Sequence, residues 1–458
     1  VGTTILFFDK ILYTKSKEVN KMKYYCIGIK GAGMATLANI LHDLGNEVSG
    51  YDDVKEWKFT QSGLEERHIP IYTDSTHSID PDTIVTYSKA FSEEHKELKR
   101  VKELGLTIKA YNEIIGELTD QFQTISVCGT HGKTTTSSLL KHVIENVYGC
   151  NYFIGDGSGY ASPKNELFVI ESDEFNRHFL TYHPTYTVIT NIELEHTECY
   201  RDIDDIIQTF SQFANRTKKL IIACGDNENI RKITFQPDVI YYGFSENNDV
   251  VIKNLLHTQN GSSFDLYEKD TFYGHYDLPL YGDHMVLNAT ACIILSRKLD
   301  INQNTIHDLL QTFKNAKRRF AEEKVGTNII IDDYAHHPTE IKMTLLAAKQ
   351  KYPDRKLIAI FKPNTYSRTE AFYREFAEAL NIADSTYLTE IDCNRETQEE
   401  YPGVSSQLIL DLLKNGKMID EETIDQLKDE ENAVICMMSC ASIEHLKQAY
   451  KDLKKEKE

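Results

Sequence analysis

Residues 128–136, CGTHGKTTT, follow the strand-like run QTISV and lead into a predicted helix. The stretch ends in the Gly-Lys-Thr of a phosphate-binding loop. The usual G-x-x-x-x-G-K-[ST] spacing is not met, because Val127 stands where the first glycine is expected. The loop is therefore compressed, and the alternative is a tight turn with an incidental lysine. The strand before it, the helix after it and three consecutive threonines favour a phosphate site.

Each residue type in this loop suits a bound phosphate. The glycines allow backbone N–H groups to approach phosphate oxygens at a helix N-terminus, where the helix dipole favours an anion. Lys133 supplies a positive charge, and the Thr134 hydroxyl can ligate Mg²⁺. The residues predicted to bind the phosphates are Gly129, Thr130, His131, Gly132, Lys133, Thr134 and Thr135.

Length and composition limit the classes of protein to which the chain can belong. Its 458 residues exceed one hydrophobic core and predict about three domains. The net charge of −19 argues against broad binding to nucleic acid, although it is compatible with a local basic pocket. No apolar run reaches the roughly 18 residues that cross a bilayer, so no membrane segment is predicted. The nine scattered cysteines, without a C-x-x-C pair, predict free thiols and a cytoplasmic protein.

The order of predicted elements indicates an α/β fold. Apolar runs bounded by turns alternate with helical patterns, which is typical of parallel sheets. A polar stretch at 112–122 is predicted to be a connector, and short alternating stretches at 245–280 predict a small antiparallel insertion. The predicted divisions are an extension outside the fold at 1–21 and three domains at 22–118, 119–321 and 322–458.

Acidic and imidazole side chains follow two of the predicted central strands, LFVIES and TVITNI. They are Glu171, Asp173, Glu174, Asn191, Glu193, Glu195 and His196. In an open parallel sheet, ligands gather at the carboxyl ends of the strands. Each group alone is typical of a solvated loop, but together beside a phosphate loop they favour a metal site.

A second glycine-rich turn lies near the start of the chain, between a predicted strand and a predicted helix. Its spacing is G-x-x-G-x-G, formed by Gly28, Gly31 and Gly33, and Asp52 stands near the end of the next strand. This pattern predicts a pyrophosphate at the helix N-terminus without identifying the nucleotide. A dehydrogenase that binds NAD here is an alternative, but it leaves the loop at 128–136 unexplained.

The last third of the chain adds histidines and arginines at predicted strand ends. DDYAHHPTE at 332–340 contains His336 and His337. Paired histidines can bind zinc, but no third and fourth ligand follows at a recognisable spacing, so zinc is not predicted. Arg368 and Arg395 suit the recognition of a carboxylate or a phosphate.

These motifs in this order resemble the Mur ligase family, the ATP-dependent enzymes that form amide bonds in peptidoglycan synthesis. They are GIKGAGM at 28–34, GTHGKTTT at 129–136, NIELEH at 191–196, YGDHMVLNATA at 281–291, KRRF at 317–320, DYAHHPTEI at 333–341 and SRT at 367–369. The resemblance implies a Rossmann-like UDP-binding domain, a central P-loop-type ATPase domain with a mostly parallel sheet and a C-terminal Rossmann-like α/β domain. Its details favour the first ligase of the series, which joins L-alanine to UDP-N-acetylmuramate.

The resemblance also implies roles for single residues, with ATP and Mg²⁺ as cofactors. Lys133 would hold the phosphates, Thr134 and Glu171 one Mg²⁺, and His196 a second metal. The remaining predicted ATP contacts are His284, Asn288, Arg319 and Asp333. The residues expected to act in catalysis are Lys133, His196, Arg319, His336 and Arg368. Those expected to bind substrate are Gly28, Gly31, Ala32, Gly33, Asp52, Ser88, His337, Arg368 and Arg395.

Two alternatives within this resemblance stay open. A murein-peptide ligase, which joins a tripeptide to the same UDP-sugar, shares the motifs. A non-catalytic nucleotide-binding regulator is favoured by departures such as Asn364, where the family usually has histidine, and disfavoured by the intact Lys133 and His196. A monomer or a homodimer is expected.

Overall fold

The computed structural model describes residues 21–88, 91–92, 94–393 and 396–455. Arg395 and nearly all of the predicted extension at 1–21 therefore lie outside the described residues. Internal contacts divide the chain into two units, one ending at Tyr111 and the other beginning at Asn112. Among the described helices, none has both the length and the apolar character needed to cross a membrane.

Within the described residues, the first unit forms one parallel sheet in the strand order β3-β2-β1-β4-β5. Its core contains Tyr25 and Ile27 of the central strand, packed with Val85, Leu98 and Val101. This order is that of a Rossmann-like sheet, as predicted. The elements are β1 (Lys23–Ile27), α1 (Ala32–Asp43), β2 (Glu47–Tyr51), α2 (Gln61–Glu66), β3 (Ile71–Tyr72), β4 (Thr83–Tyr87), α3 (Lys96–Glu103) and β5 (Thr107–Ala110), followed by α4 (Tyr111–Gln121), which continues into the second unit.

The second unit begins with a large, mostly parallel sheet. Its elements are β6 (Gln123–Cys128), α5 (Lys133–Val147), β7 (Asn151–Phe153), β8 (Gly159–Tyr160), β9 (Leu167–Glu171), a 3₁₀ segment (Phe175–Thr181), β10 (Tyr186–Ile189), α6 (Ile203–Ala214), β11 (Leu220–Cys224), α7 (Glu228–Arg231), β12 (Asp238–Gly243), β13 (Val250–Thr258), β14 (Gly261–Glu268), β15 (Thr271–Leu278), α8 (Asp283–Lys298) and α9 (Gln303–Thr312).

The order of strands in this sheet explains the apolar runs of the sequence. Across the described chain it is β15-β14-β13-β12-β11-β10-β6-β9-β7-β8. The neighbours from β7 to β13 are parallel, and Val127, Val169, Val188 and Ile222 on successive central strands are buried. Strands β13 to β15 are antiparallel, which confirms the predicted insertion.

A second sheet of the same unit forms the C-terminal domain. Its elements are β16 (Ala321–Val325), β17 (Asn328–Asp333), α10 (Pro338–Lys351), β18 (Lys356–Phe361), α11 (Tyr366–Leu380), β19 (Ser385–Leu388), α12 (Gln407–Leu410), β20 (Gly416–Met418), a 3₁₀ segment (Ile424–Leu427), β21 (Ala433–Met438) and α13 (Glu444–Lys455). Its described strand order is β16-β17-β21-β18-β19-β20, with only β16 antiparallel to its neighbour.

Both faces of this sheet are buried. Alternate residues enter separate cores, with Ile331 and Phe361 on one face and Ile330 and Ile360 on the other. The chain is therefore a three-domain α/β protein, as predicted. The domain boundaries at 118/119 and 321/322 stay predictions.

The predicted connector at 112–122 is wrong, because these residues form most of helix α4. Ile114, Ile115 and Leu118 are buried at helical spacing, while Asp120 is exposed. A glycine and several polar residues hid this pattern in the sequence. Gly116 is required by packing, since a Cβ added to it would lie 2.4 Å from the backbone oxygen of Thr181.

Replacing Gly116 with alanine should destabilise the protein, although alanine is the better helix former by about 1 kcal/mol. We expect the free energy of unfolding to fall by about 1–3 kcal/mol, because backbone must move to admit the methyl group. Urea unfolding measures the change, with Gln121→Ala at the exposed end of the same helix as the control. A Gly116→Ala protein as stable as the wild type would contradict the packing.

Candidate active site

The loop between β6 and α5 is a tight turn that needs both of its glycines. Gly129 has φ +137°, and an added Cβ would lie 2.1 Å from Thr190 Oγ1. Gly132 has φ +81°, and an added Cβ would lie 2.8 Å from Asn288 Oδ1. Both backbone conformations lie in the left-handed region, where glycine is favoured. The compressed spacing thus forms a tight turn that ends at the N-terminus of α5.

Lys133 is held inside this turn by its own loop and by one carboxylate. Its Nζ donates to the carbonyls of Gly129 and Thr130 at 2.6 and 3.1 Å and lies 2.9 Å from Glu174 Oε2. Burial lowers the pKa of Lys133, but Glu174, Asp173 and other acids more than offset this and raise it above its usual value. The ammonium is therefore charged, and a phosphate bound at the loop competes with Glu174 for contact with it.

Thr134 and Glu171 fit a Mg²⁺ ion. The Thr134 hydroxyl lies 3.1 Å from Glu171 Oε1, and Glu171 Oε2 accepts the N–H of Gly155 at 2.8 Å. Burial raises the pKa of Glu171, and the charges of Lys133 and Arg319 only partly offset this. Arg319 Nη2 lies 3.4 Å from the same hydroxyl. Hydroxyl and carboxylate oxygens are the donors that Mg²⁺ prefers.

His196 lies beside these groups, in a left-handed backbone conformation with φ +53°. Its Nε2 is 3.8 Å from Glu174 Oε1, and its ring packs edge-on against Phe175. Ligand atoms of Asp173, Glu174 and His196 all lie within 4.8 Å of one another. The predicted role of His196 in holding a second metal is compatible with this arrangement and stays a prediction.

A cavity of about 220 Å³ lies between the central and C-terminal domains, next to the loop. Burial lowers the pKa of His284 to about 4, so its ring is neutral at neutral pH. Asp333 accepts the backbone N–H groups of Phe320 and Ala335 at 2.7 and 2.9 Å, and burial raises its pKa. The predicted ATP contacts that line this cavity are His131, Gly132, Thr135, His284, Asn288, Arg319 and Asp333.

A buried cluster of histidines and carboxylates joins the two domains beside this cavity. His131 Nε2 lies 3.5 Å from Glu193 Oε2, and its Nδ1 lies 3.3 Å from Glu340 Oε1. Glu193 also accepts the Thr339 hydroxyl at 2.7 Å and lies 3.8 Å from His337. Burial lowers the pKa of His131, but Glu193 and Glu340 raise it to about 9. Burial lowers the pKa of His337 to about 4, and the charge on His131 adds to this effect.

Arg368 and His336 meet a second carboxylate, Glu195. Arg368 Nη2 lies 2.9 Å from Glu195 Oε1, and His336 Nε2 lies 3.6 Å from the same oxygen. Burial lowers the pKa of His336, but Glu340 and Glu195 more than offset this and raise it well above its usual value. The ring is therefore charged at neutral pH. Arg368 and Glu195 also line a cleft of about 30 Å³ with His196, Thr365 and Phe372.

The glycine turn of the first unit also lies at a helix N-terminus. Gly28 has φ +81°, and Gly31 immediately precedes α1, which begins at Ala32 and Gly33. Asp52 accepts the backbone N–H groups of Lys30 and Val54 at 2.9 and 3.0 Å, so it braces the turn.

Ser88 lies at the end of a neighbouring strand, where its N–H donates to the Ile27 carbonyl at 3.1 Å. The substrate-binding roles predicted for the first unit, including those of Asp52 and Ser88, stay predictions. This group and the group around Lys133 belong to different units.

The acidic partners of the predicted cations and histidines, among them Glu174, Glu193, Glu195 and Glu340, were given no individual role by the sequence. Glu174 was noted as an acid at a strand end but not as the partner of Lys133. Glu340 was not singled out, although the H-P-T-E run resembles a capping box. In the structure, the Thr339 N–H donates to the ring of His337, and Glu340 accepts the His337 N–H at 3.3 Å. A histidine at the N-cap position is unusual, which is why this signal was weak.

Comparison with known proteins places these features in a family. Three family models match, the Mur ligase family catalytic domain at 23–123, the Mur ligase middle domain at 127–296 and the Mur ligase glutamate ligase domain at 318–442. The UDP-N-acetylmuramate–L-alanine ligase of Ligilactobacillus salivarius (strain UCC118) is 42% identical over 435 residues, which cover 95% of this chain and 98% of the relative. The chain belongs to the Mur ligase family.

Solved structures of the family share the fold. The UDP-N-acetylmuramate-alanine ligase of Thermotoga maritima matches with a TM-score of 0.77 and 24% identity, over 95% of this chain and all of that one. A murein peptide ligase of Psychrobacter arcticus matches with a TM-score of 0.68 and 21% identity, over 94% of this chain and 98% of the other. These similarities support the three-domain α/β architecture.

Replacing His131 with glutamine should reduce the pH dependence of stability. The pKa of His131 is about 9 in the folded protein against an ordinary value of 6.5. Its charged form stabilises the fold below about pH 6.5, and this contribution is lost as the pH rises through about 9. In chelator-treated protein, the difference in unfolding free energy between wild type and His131→Gln should therefore shrink from pH 6.5 upward.

Urea unfolding at a series of pH values measures this difference. His142→Gln is the control, because His142 lies on α5, the helix that follows the loop of His131, and contacts Leu309 and Thr312 instead of the cluster. A difference that stays constant with pH would mean that His131 is not held as a cation.

Proposed function

We propose that the protein is an ATP-dependent ligase that joins L-alanine to the carboxylate of UDP-N-acetylmuramate in peptidoglycan synthesis. The observation that carries the proposal is a charged Lys133 at the N-terminus of α5, with Arg319 of the neighbouring domain 3.4 Å from Thr134. Identity of 42% to an L-alanine ligase over nearly the whole chain supports the choice of substrates.

A carboxylate must be activated before an amine can attack it. One carboxylate oxygen attacks the γ-phosphorus of ATP, and ADP leaves, which gives an acyl phosphate. The alanine nitrogen then attacks the carbonyl carbon and loses a proton, and the tetrahedral intermediate expels inorganic phosphate. Phosphoryl transfer depends on positioning and on neutralised charge, with little covalent help from protein groups.

The charged residues at the loop are suited to this chemistry. Lys133 and the backbone N–H groups at the start of α5 would neutralise the transferred phosphate, and Arg319 would approach it from the C-terminal domain. When bound, Mg²⁺ supplies further positive charge beside the phosphates, and Thr134 and Glu171 are the donors that would hold it. The neutral His284 and Asn288 line the cavity where we expect the adenine.

The remaining substrates have separate places in this proposal. We assign the pyrophosphate of the UDP-sugar to the glycine turn at 28–33, where a helix N-terminus favours an anion. Arg368 would bind a substrate carboxylate, in exchange for part of its contact with Glu195. His336 is held as a cation, so it suits charge neutralisation better than the role of general base. The cytoplasmic location and the monomeric or dimeric state remain predictions.

Phosphate release tests the choice of amino-acid substrate. With ATP, Mg²⁺ and UDP-N-acetylmuramate present, L-alanine should stimulate release more than glycine, serine or a peptidoglycan tripeptide does. Preference for the tripeptide would identify a murein-peptide ligase. If none of the acceptors stimulates phosphate release, the ligase proposal is contradicted and a nucleotide-binding regulator is favoured.

Lys133→Ala should abolish turnover and leave the protein folded, because the lysine charge acts on the phosphates. The matched control is Lys141→Ala on the same helix, where Lys141 pairs with Glu145 away from the loop. Circular dichroism checks the fold of both variants. Turnover by Lys133→Ala within a few-fold of wild type would contradict the phosphate role.

A further inference from the structure

His131, Glu193 and His337 come from three separate parts of the second unit and converge in its interior. One ligand atom from each residue can be chosen so that all three atoms lie within 4.8 Å of one another. His131 lies in the phosphate-binding loop and Glu193 follows β10, whereas His337 immediately precedes α10 of the C-terminal domain. The three residues have no recognisable spacing in the sequence, because they meet only where the central and C-terminal domains pack together.

The separations are close to those of a metal site. Bonds of about 2.0 Å in a tetrahedral zinc site place neighbouring ligand atoms about 3.3 Å apart. His131 Nε2 lies 3.5 Å from Glu193 Oε2, and His337 Nδ1 lies 3.8 Å from that oxygen. Small side-chain movements would therefore bring all three atoms to bonding distance of one ion.

Both rings have nitrogens without a hydrogen bond. Each imidazole is only 5% exposed. Among the described residues, neither ring nitrogen of His131 has a hydrogen-bond partner, and His337 Nε2 has none either. His337 Nδ1 accepts only a long N-cap contact of 3.3 Å from the Thr339 N–H. Neutral imidazole nitrogens that make no hydrogen bond can donate a lone pair to a metal ion.

Glu340 and Thr339 orient the proposed ligands, as carboxylates and hydroxyls that contact the ligands do in known metal sites. Glu340 Oε1 lies 3.3 Å from His131 Nδ1, which directs Nε2 toward Glu193. The Thr339 hydroxyl donates to Glu193 at 2.7 Å and fixes this carboxylate. His131 and Glu193 also line the 220 Å³ cavity, so a fourth ligand such as water has access from that side.

We propose that His131, Glu193 and His337 form a binding site for a transition-metal ion of the Zn²⁺ type. Two imidazoles and one carboxylate suit Zn²⁺ or Co²⁺, whereas Mg²⁺ prefers six oxygen ligands. The site is therefore distinct in chemistry from the oxygen site of Thr134 and Glu171. A bound ion fastens the start of α10 to the phosphate-binding loop and so links the two domains.

Titration of the metal-free, full-length protein with Co²⁺ tests the proposal. One equivalent should bind and give the strong visible absorption of a four- or five-coordinate ion, and Zn²⁺ should displace it. X-ray absorption of the Zn²⁺ form should show nitrogen and oxygen ligands that include two imidazoles. The measurement uses no substrate, so a failure of the ligase proposal would not affect it.

Variants locate the ion. Glu193→Gln and His337→Gln should each abolish stoichiometric binding, and Glu340→Gln should weaken it by about 10–100-fold. The controls are His142→Gln and His196→Gln, which should both bind Co²⁺ as the wild type does. His196 belongs to the separate group of Asp173, Glu174 and His196. Circular dichroism and a melting curve show whether each variant is folded.

Three results of the binding experiments would overturn the proposal. In the first, the wild type binds neither Co²⁺ nor Zn²⁺. In the second, the folded Glu193→Gln and His337→Gln variants still bind the ion. In the third, only His196→Gln loses binding. X-ray absorption of the wild type with fewer than two imidazoles would also overturn it, even if a variant fails to fold.

Discussion

The ammonium group of Lys133 is fixed between two loop carbonyls and the buried carboxylate of Glu174. This contact requires that β6 and β9 are parallel neighbours, because only then do the phosphate loop and the residues after Glu171 meet at one edge of the sheet. Two glycines in left-handed conformations bring the loop carbonyls close enough. The position of the Lys133 ammonium therefore depends on the backbone conformation of the loop, which these glycines allow.

The second requirement is charge balance between the central and C-terminal domains. His131 and Arg368 each face carboxylates across the domain contact, with Arg368 2.9 Å from Glu195. These pairs are buried or nearly so, and removing one partner would leave an uncompensated charge. The same groups therefore hold the domains together and set the protonation of the histidines beside the cavity.

Much of the fold could be predicted from the sequence, because strands buried on both faces, such as Asn328–Asp333, appear as continuous apolar runs. Helix α4 was missed because Gly116 and polar residues interrupt its apolar spacing. The phosphate loop was predictable from local motifs. The partners His131 and Glu340 were not, because residues 209 positions apart meet only after two domains pack, and no local pattern records that contact.

Carboxylate activation can be followed through a single oxygen atom. UDP-N-acetylmuramate labelled with heavy oxygen in its carboxylate is turned over with ATP and L-alanine, and the released phosphate is analysed by mass spectrometry. An acyl phosphate intermediate transfers one labelled oxygen from each carboxylate to the inorganic phosphate. Unlabelled phosphate would show that ATP is cleaved by water, and would contradict the chemistry assigned to Lys133 and Arg319.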